Sequence, residues 1–209
     1  MRLHIDEIRV IDSMELGSEP IIFDVGAHHG DFALYAIEKW PDAKITCFEP
    51  HPKSLRKLWS EVSDFARIEP VALSDEFGDS KLYGNGLTAS MFGRDFSYMG
   101  ITDFNDGEIT VVTDRLDNYI EHSIDYLKID VEGNEFKVLL GAGKYLDPVY
   151  IKNIQFEFNS CNLDSRTFFR DFWNLLRPKG YQLYHDGNLI ENYSTQLEDF
   201  TSSKEIVVK

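Results

Sequence analysis

The sequence predicts an α/β protein built on a mostly parallel sheet. Three observations lead there. Short apolar runs alternate with longer amphipathic segments from Pro20 onward; the first run, Ile21-Ile22-Phe23-Asp24-Val25, ends at a glycine before a helix; and later runs end in acids, at Phe48-Glu49-Pro50 and Ile129-Asp130-Val131-Glu132-Gly133. Parallel strands buried on both faces read as continuous hydrophobic runs, and ligands gather beyond their carboxyl ends. A chain of 209 residues suits one well-buried domain and is short for two. Residues 20–209 are read as that domain, with a lead-in segment at 1–19 and a loop or lid insertion at about 84–107.

Each element follows from local pattern. After the first strand, Phe32, Ala33, Ala36, Ile37 and Trp40 recur at helical spacing and stop at Pro41. Lys44 to Phe48 is a second strand, Pro52 to Val62 a helix with proline in its first turn, and Arg67 to Leu73 a third strand. This order predicts right-handed parallel crossovers. From Gly84 to Gly107 five glycines alternate with Met91, Phe92, Phe96, Tyr98 and Met99, a pattern that fits a mobile lid or a surface loop packed by its own side chains. Glu108 to Thr113 resumes as a strand, followed by a short helix over Arg115 to Glu121. Tyr126 to Val131 is a strand, and a helix from about Asn134 to Leu140 is closed by Gly141 and Gly143. Ile151 to Phe158 is a strand, and Ser165 caps a long helix ending near Pro178. Gly180 to His185 and Glu205 to Val208 finish as an antiparallel edge pair.

The glycine loop Asp24-Val25-Gly26-Ala27-His28-His29-Gly30 discriminates between ligands. A dinucleotide fingerprint needs a middle glycine so that backbone can approach a pyrophosphate, and His28 stands in that place. A ligand without phosphate, with an amino-acid tail in the turn, tolerates side chains there. Glu49 lies about twenty residues past the loop, where a strand-end acid accepts hydrogen bonds from ribose hydroxyls. Asp24 either caps the turn or faces a ligand ammonium. The one Tyr-x-x-x-Lys, Tyr35 to Lys39, falls inside the first helix, the wrong place for a reductase or epimerase that uses nicotinamide.

Asp24, Glu49, Asp130 and Glu157 should ring one crevice at the carboxyl edge of the sheet. Carboxylates gathered there are costly unless they pair, share protons or bind metal. Transfer to a hydroxyl needs in-line approach and removal of a proton, so Asp130 is the first candidate for the reaction centre, as base or as anchor, with Glu157 and His29 as further catalytic candidates. His28 and His29 also read as plain solvent-loop residues. No spaced ligand set supports a metal, and none is assigned.

Bulk composition narrows the partners. A formal net charge of -15 disfavours nucleic acid, whose phosphates need a basic stripe. The two cysteines, Cys47 and Cys161, read as free thiols. Acids scattered through Met1 to Glu19 argue against a signal peptide, and no run reaches membrane-span length, so a cytoplasmic protein is expected. Oligomeric state is left open, a homodimer being one option.

Taken together, the blocks Phe23-Asp24-Val25-Gly26-Ala27, Phe48-Glu49-Pro50, Val71-Ala72-Leu73-Ser74-Asp75, Arg115-Leu116-Asp117, Tyr126-Leu127-Lys128-Ile129-Asp130-Val131-Glu132-Gly133 and Ile154-Gln155-Phe156-Glu157-Phe158 resemble FkbM-type methyltransferases. The resemblance runs from about residue 20 to 185, and the Leu-Lys-Ile-Asp-Val-Glu-Gly block is its most specific part. It implies a Rossmann-like class I methyltransferase fold: a seven-stranded, mostly parallel sheet with a C-terminal antiparallel pair and helices on both faces. It also implies S-adenosylmethionine as methyl donor and a hydroxyl of a saccharide or secondary metabolite as acceptor. By position, Asp24, Gly26, Ala27, His28 and Gly30 would line the methionine end. Glu49 and Pro50 would hold the ribose, Ala72 and Leu73 would border the adenine, and Asp130 would sit beside the methyl. The His28-His29 pair departs from the family pattern. A non-catalytic binding module of the same fold is the alternative.

Overall fold

A computed structural model describes residues 3–84, 89–93 and 107–209. The first half of the chain runs α1 (Ile5–Ser13), β1 (Ile21–Val25), α2 (Asp31–Lys39), β2 (Lys44–Phe48), α3 (Pro52–Val62), β3 (Ala66–Glu69), β4 (Ala72–Ser74), β5 (Gly78–Tyr83) and β6 (Glu108–Arg115). The second half runs β7 (Tyr126–Ile129), α4 (Glu135–Gly141), β8 (Ile154–Phe158), α5 (Cys161–Ser165), α6 (Phe169–Leu176), β9 (Leu183–His185), β10 (Asn188–Leu189) and β11 (Lys204–Val208).

The main sheet has the order β10-β9-β11-β8-β7-β1-β2-β3. The five strands from β8 to β3 are parallel, with β1 at their centre, while β11 runs antiparallel to both β8 and β9. The expected parallel sheet with an antiparallel end is therefore present, extended by the two-residue β10 of a hairpin.

Several local expectations differ. The strand expected over Arg67 to Leu73 breaks at Pro70, which has no amide to donate: β3 ends at Glu69, and β4 joins a separate sheet of order β4-β6-β5. That sheet also takes the strand expected at Glu108, and the helix expected after it is a single 3₁₀ turn, Leu116–Asn118. The long helix expected from a Ser165 cap begins only at Phe169, as α6 with Phe168 at its cap; Ser165 instead closes the short α5, after which Arg166 turns left-handed at φ 57°. The segment read as a lead-in folds as α1. Its Ile11 and Met14 enter the core, and Asp12 accepts a 3.0 Å hydrogen bond from Tyr35 of α2. Most of the 84–107 stretch lies outside the described residues.

Strand alternation builds two cores. Phe23, Val25, Leu127, Ile129, Phe156, Phe158, Ile206 and Val208 point to one face and pack with α4 and α6 residues such as Val138, Phe169 and Phe172. Ile22, Ile45, Cys47, Tyr126 and Val207 point to the other, against α1, α2 and α3. Among the described residues no helix is long and apolar enough to cross a membrane.

Candidate active site

The site starts where β1 and β7 end side by side. The Asp130 amide donates to Val25 O at 2.9 Å, which brings the loops after the two strands together. Gly26 then turns at φ 82°, and a Cβ built on it would lie 1.8 Å from Asp130 O, so only glycine fits. The amides of Gly26 and Ala27 both donate to Phe48 O, at 2.9 and 3.1 Å. Gly30 also needs its bare Cα, but for packing: a Cβ there would be 2.6 Å from Val62 Cγ1 of α3.

Glu49 ties the glycine loop to the second strand. Its Oε2 accepts from the His28 amide at 2.9 Å and its Oε1 from the His51 amide at 2.7 Å. Burial pushes the Glu49 carboxyl up to about 7, against the pull of those two amides. Each oxygen keeps a second lone pair for another donor.

A crevice with about 730 Å³ of open space runs along this edge. Gly26, His28, Glu49, Pro50 and Asp130 line one end, and Val71, Ala72, Leu73, Leu82, Ala89 and Met91 line the other. No lysine or arginine is among the described residues lining it.

A second recess lies on the far side of the loop, between Leu3, Ile5 and Glu7 of the N-terminal segment and His28, His29, Asp31 and Phe32. It shares Gly26, His28 and Asp130 with the crevice. The rings of His28 and His29 lie with centroids 3.6 Å apart. Burial and the adjacent His29 take His28 down to about 4, and burial also lowers His29, so both rings are neutral at pH 7.

Asp24 faces neither space. It is fully buried, and Lys128 Nζ lies 3.4 Å from its Oδ1 and 3.4 Å from Asp130 Oδ2. Burial works against the Lys128 charge, but Asp130, Asp24, Glu7 and Glu205 together hold it well above the usual lysine range. Burial raises Asp24 to about 6 despite that lysine. Glu157 stands directly opposite Glu205 across the β8–β11 pair. Ser203 and Asn159 donate to Glu157, and burial together with Asp130 raises it well above the carboxylate range. At neutral pH that favours its protonated form, a poor base.

The loop after β7 is braced by a residue that sequence reasoning passed over, Glu135. Glu132 and Gly133 are left-handed, at φ 56° and 107°. Buried Glu135 supports them, its Oε1 accepting from the amides of Val131 at 3.1 Å and Gly133 at 3.0 Å. Lys128 did carry a signal, as the one charge within the apolar Tyr126–Ile129 strand. Glu205 carried none beyond a polar strand start.

Strand-end acids around a glycine turn at the switch of an open parallel sheet match a known domain: the methyltransferase FkbM domain model covers residues 24–183. The chain belongs to the FkbM methyltransferase family. Among curated proteins, it is 28% identical over 154 residues to the 2-O-methyltransferase NoeI of Sinorhizobium fredii, covering 66% of this chain and 63% of that one. It is 28% identical over 173 residues to the methyltransferase sdnD of Sordaria araneosa, covering 63% of each. The chain thus spans less than two thirds of the length of these relatives. A solved FkbM methyltransferase from Methylobacillus flagellatus superposes with TM-score 0.60 at 12% identity, over 95% of this chain and 45% of that one. An S-adenosylmethionine-dependent O-methyltransferase from Thermotoga maritima gives 0.53 at 9% identity, over 100% of this chain and 66% of that one. These likenesses show the class I methyltransferase fold.

Proposed function

We propose that this chain transfers a methyl group from S-adenosylmethionine to a hydroxyl of a saccharide or secondary-metabolite acceptor. The observation that carries the reading is the joined loop: Gly26 against Asp130, with Glu49 bound to the same turn, beside a crevice that has no lysine or arginine among its described lining residues. Ala72 and Leu73 border the adenine, and the spare lone pairs of Glu49, beside Pro50, accept from the ribose hydroxyls. Gly26 and His28 line the passage of the amino-acid tail. Asp24, Ala27 and Gly30 shape the loop from behind, Asp24 through Lys128 and Gly30 through α3. The relative named as a 2-O-methyltransferase supports a hydroxyl acceptor.

The donor, when bound, supplies a methyl on a sulfonium. Asp130 borders both the crevice and the recess, so it meets an acceptor hydroxyl presented at their junction and takes its proton as the oxygen approaches in line. His29, neutral at pH 7 in the recess, is the second base, while Glu157 lines neither the crevice nor the recess and spends its raised carboxyl on Ser203 and Asn159.

Thermal shift with S-adenosylhomocysteine tests the donor. Millimolar ligand is expected to raise Tm by several degrees, and Glu49→Ala to remove most of that gain. No shift in the intact protein would sink the reading. Asp130→Asn is expected to abolish turnover and retain donor binding; loss of binding alone would instead describe an anchor.

A further inference from the structure

Asn134 is buried at 1% exposure, lines the apolar end of the crevice, and donates from Nδ2 to Leu73 O at 3.0 Å. That bond fixes which way the amide is turned, because Leu73 O can only accept. The other half of the amide, Oδ1, is buried and has no hydrogen-bond partner among the described residues. A buried acceptor without a donor costs free energy, and native proteins keep few of them.

We infer that Asn134 Oδ1 is the reader of the adenine edge, accepting from the 6-amino group of the donor's base. This rests on the donor reading given above. The surroundings select the ligand group. Of the other polar side chains lining the crevice, His28, Glu49 and Asp130 belong to the glycine-loop end, and Glu132 accepts from Cys161 Sγ. Asn134 is the one held against Leu73, beside Ala72 and Val71, where a flat base packs. An acceptor in that place calls for a donor, and the 6-amino group is the only hydrogen-bond donor on adenine's ring system. A 6-oxo base would set carbonyl against carbonyl, so Asn134 becomes a specificity residue as well as a contact.

The experiment is titration calorimetry with two ligands, S-adenosylhomocysteine and S-inosylhomocysteine, which differ at the 6 position. Wild-type protein is expected to prefer the 6-amino ligand by about tenfold or more, the size of discrimination that a paired polar group gives. Asn134→Leu is expected to weaken S-adenosylhomocysteine about tenfold and leave S-inosylhomocysteine nearly unchanged, taking the ratio towards one. A loss of packing alone would weaken both ligands alike and leave the ratio standing. A wild-type preference under about threefold overturns the inference without any variant, as does a ratio that survives Asn134→Leu. Absence of binding by either ligand to wild-type protein overturns the donor reading, and this inference with it.

Discussion

The two faces of the central sheet are made from the same strands and behave as opposites. On one, Phe156 stacks on Phe172 at 4.4 Å between ring centroids, and Phe158 and Phe136 meet Phe172 edge-on. One residue along β8 in either direction, Gln155 and Glu157 point the other way, into a row with Asp24, Lys128 and Glu205. Gln155 links Tyr126 to Glu205 by hydrogen bonds. The apolar face gains stability from area and shape. The other face keeps an apolar core of its own around Ile22, Ile45 and Cys47, but it also carries a charged row in which one lysine stands among several carboxylates, and it is the face that reaches Asp130. Period-two alternation sets the stacked aromatics and the charged row on opposite faces of one strand.

The contrast can be broken from either side. Phe172→Ala should cost about 3–5 kcal/mol by opening a cavity, with the same loss at pH 5 and pH 8 in urea denaturation. A pH-dependent loss would mean that the aromatic face is coupled to the charges. Lys128→Met should cost about 3 kcal/mol at pH 8 by leaving buried carboxylates without their cation, and less at pH 5. The sign follows from Asp24: raised to about 6, it takes up a proton as pH falls and no longer needs the lysine. Equal costs at both pH values would refute the ion-pair account.

The smallest effect runs the other way. Glu205 is raised to about 7 by burial, so the native state keeps a proton that the unfolded chain has lost. Stability from this group is full below about 4.5 and is lost as pH rises through about 7. Glu205→Gln keeps an acceptor for Gln155 and removes the titration. It should match wild type near pH 4.5 and melt a few degrees higher at pH 8; a lower Tm at pH 8 would show that the charge itself is stabilising.

Much of the sheet was legible because buried parallel strands advertise themselves: β1 and β2 lie where their apolar runs predict, and β7 and β8 lie within theirs. Glycine-loop geometry was legible at Gly26, since a strand-to-helix turn at a sheet edge leaves room for little else. What was missed depends on long-range partners. A nine-residue α1 with isoleucines at positions 5, 8 and 11 has too little periodicity to stand out before the sheet it covers is known. The break at Arg166 has no proline or glycine to announce it. Asn134 looks like an ordinary polar residue until tertiary structure brings Leu73 against it, and Lys128, though marked as a charge inside an apolar strand, does not announce Asp24 as its partner. Residues that act through neighbours distant in sequence leave no spacing to read.

The contact of Gly26 with Asp130 also sets how this scaffold can diversify. A turn that admits no Cβ and an acid fixed to the neighbouring strand move as one part, so reactive geometry cannot drift by small steps. The N-terminal segment and residues 89–93 wall the same spaces with no share in that contact. Under the proposed function, new acceptors would be accommodated there, by exchanging the walls of the vessel while its seam stays still.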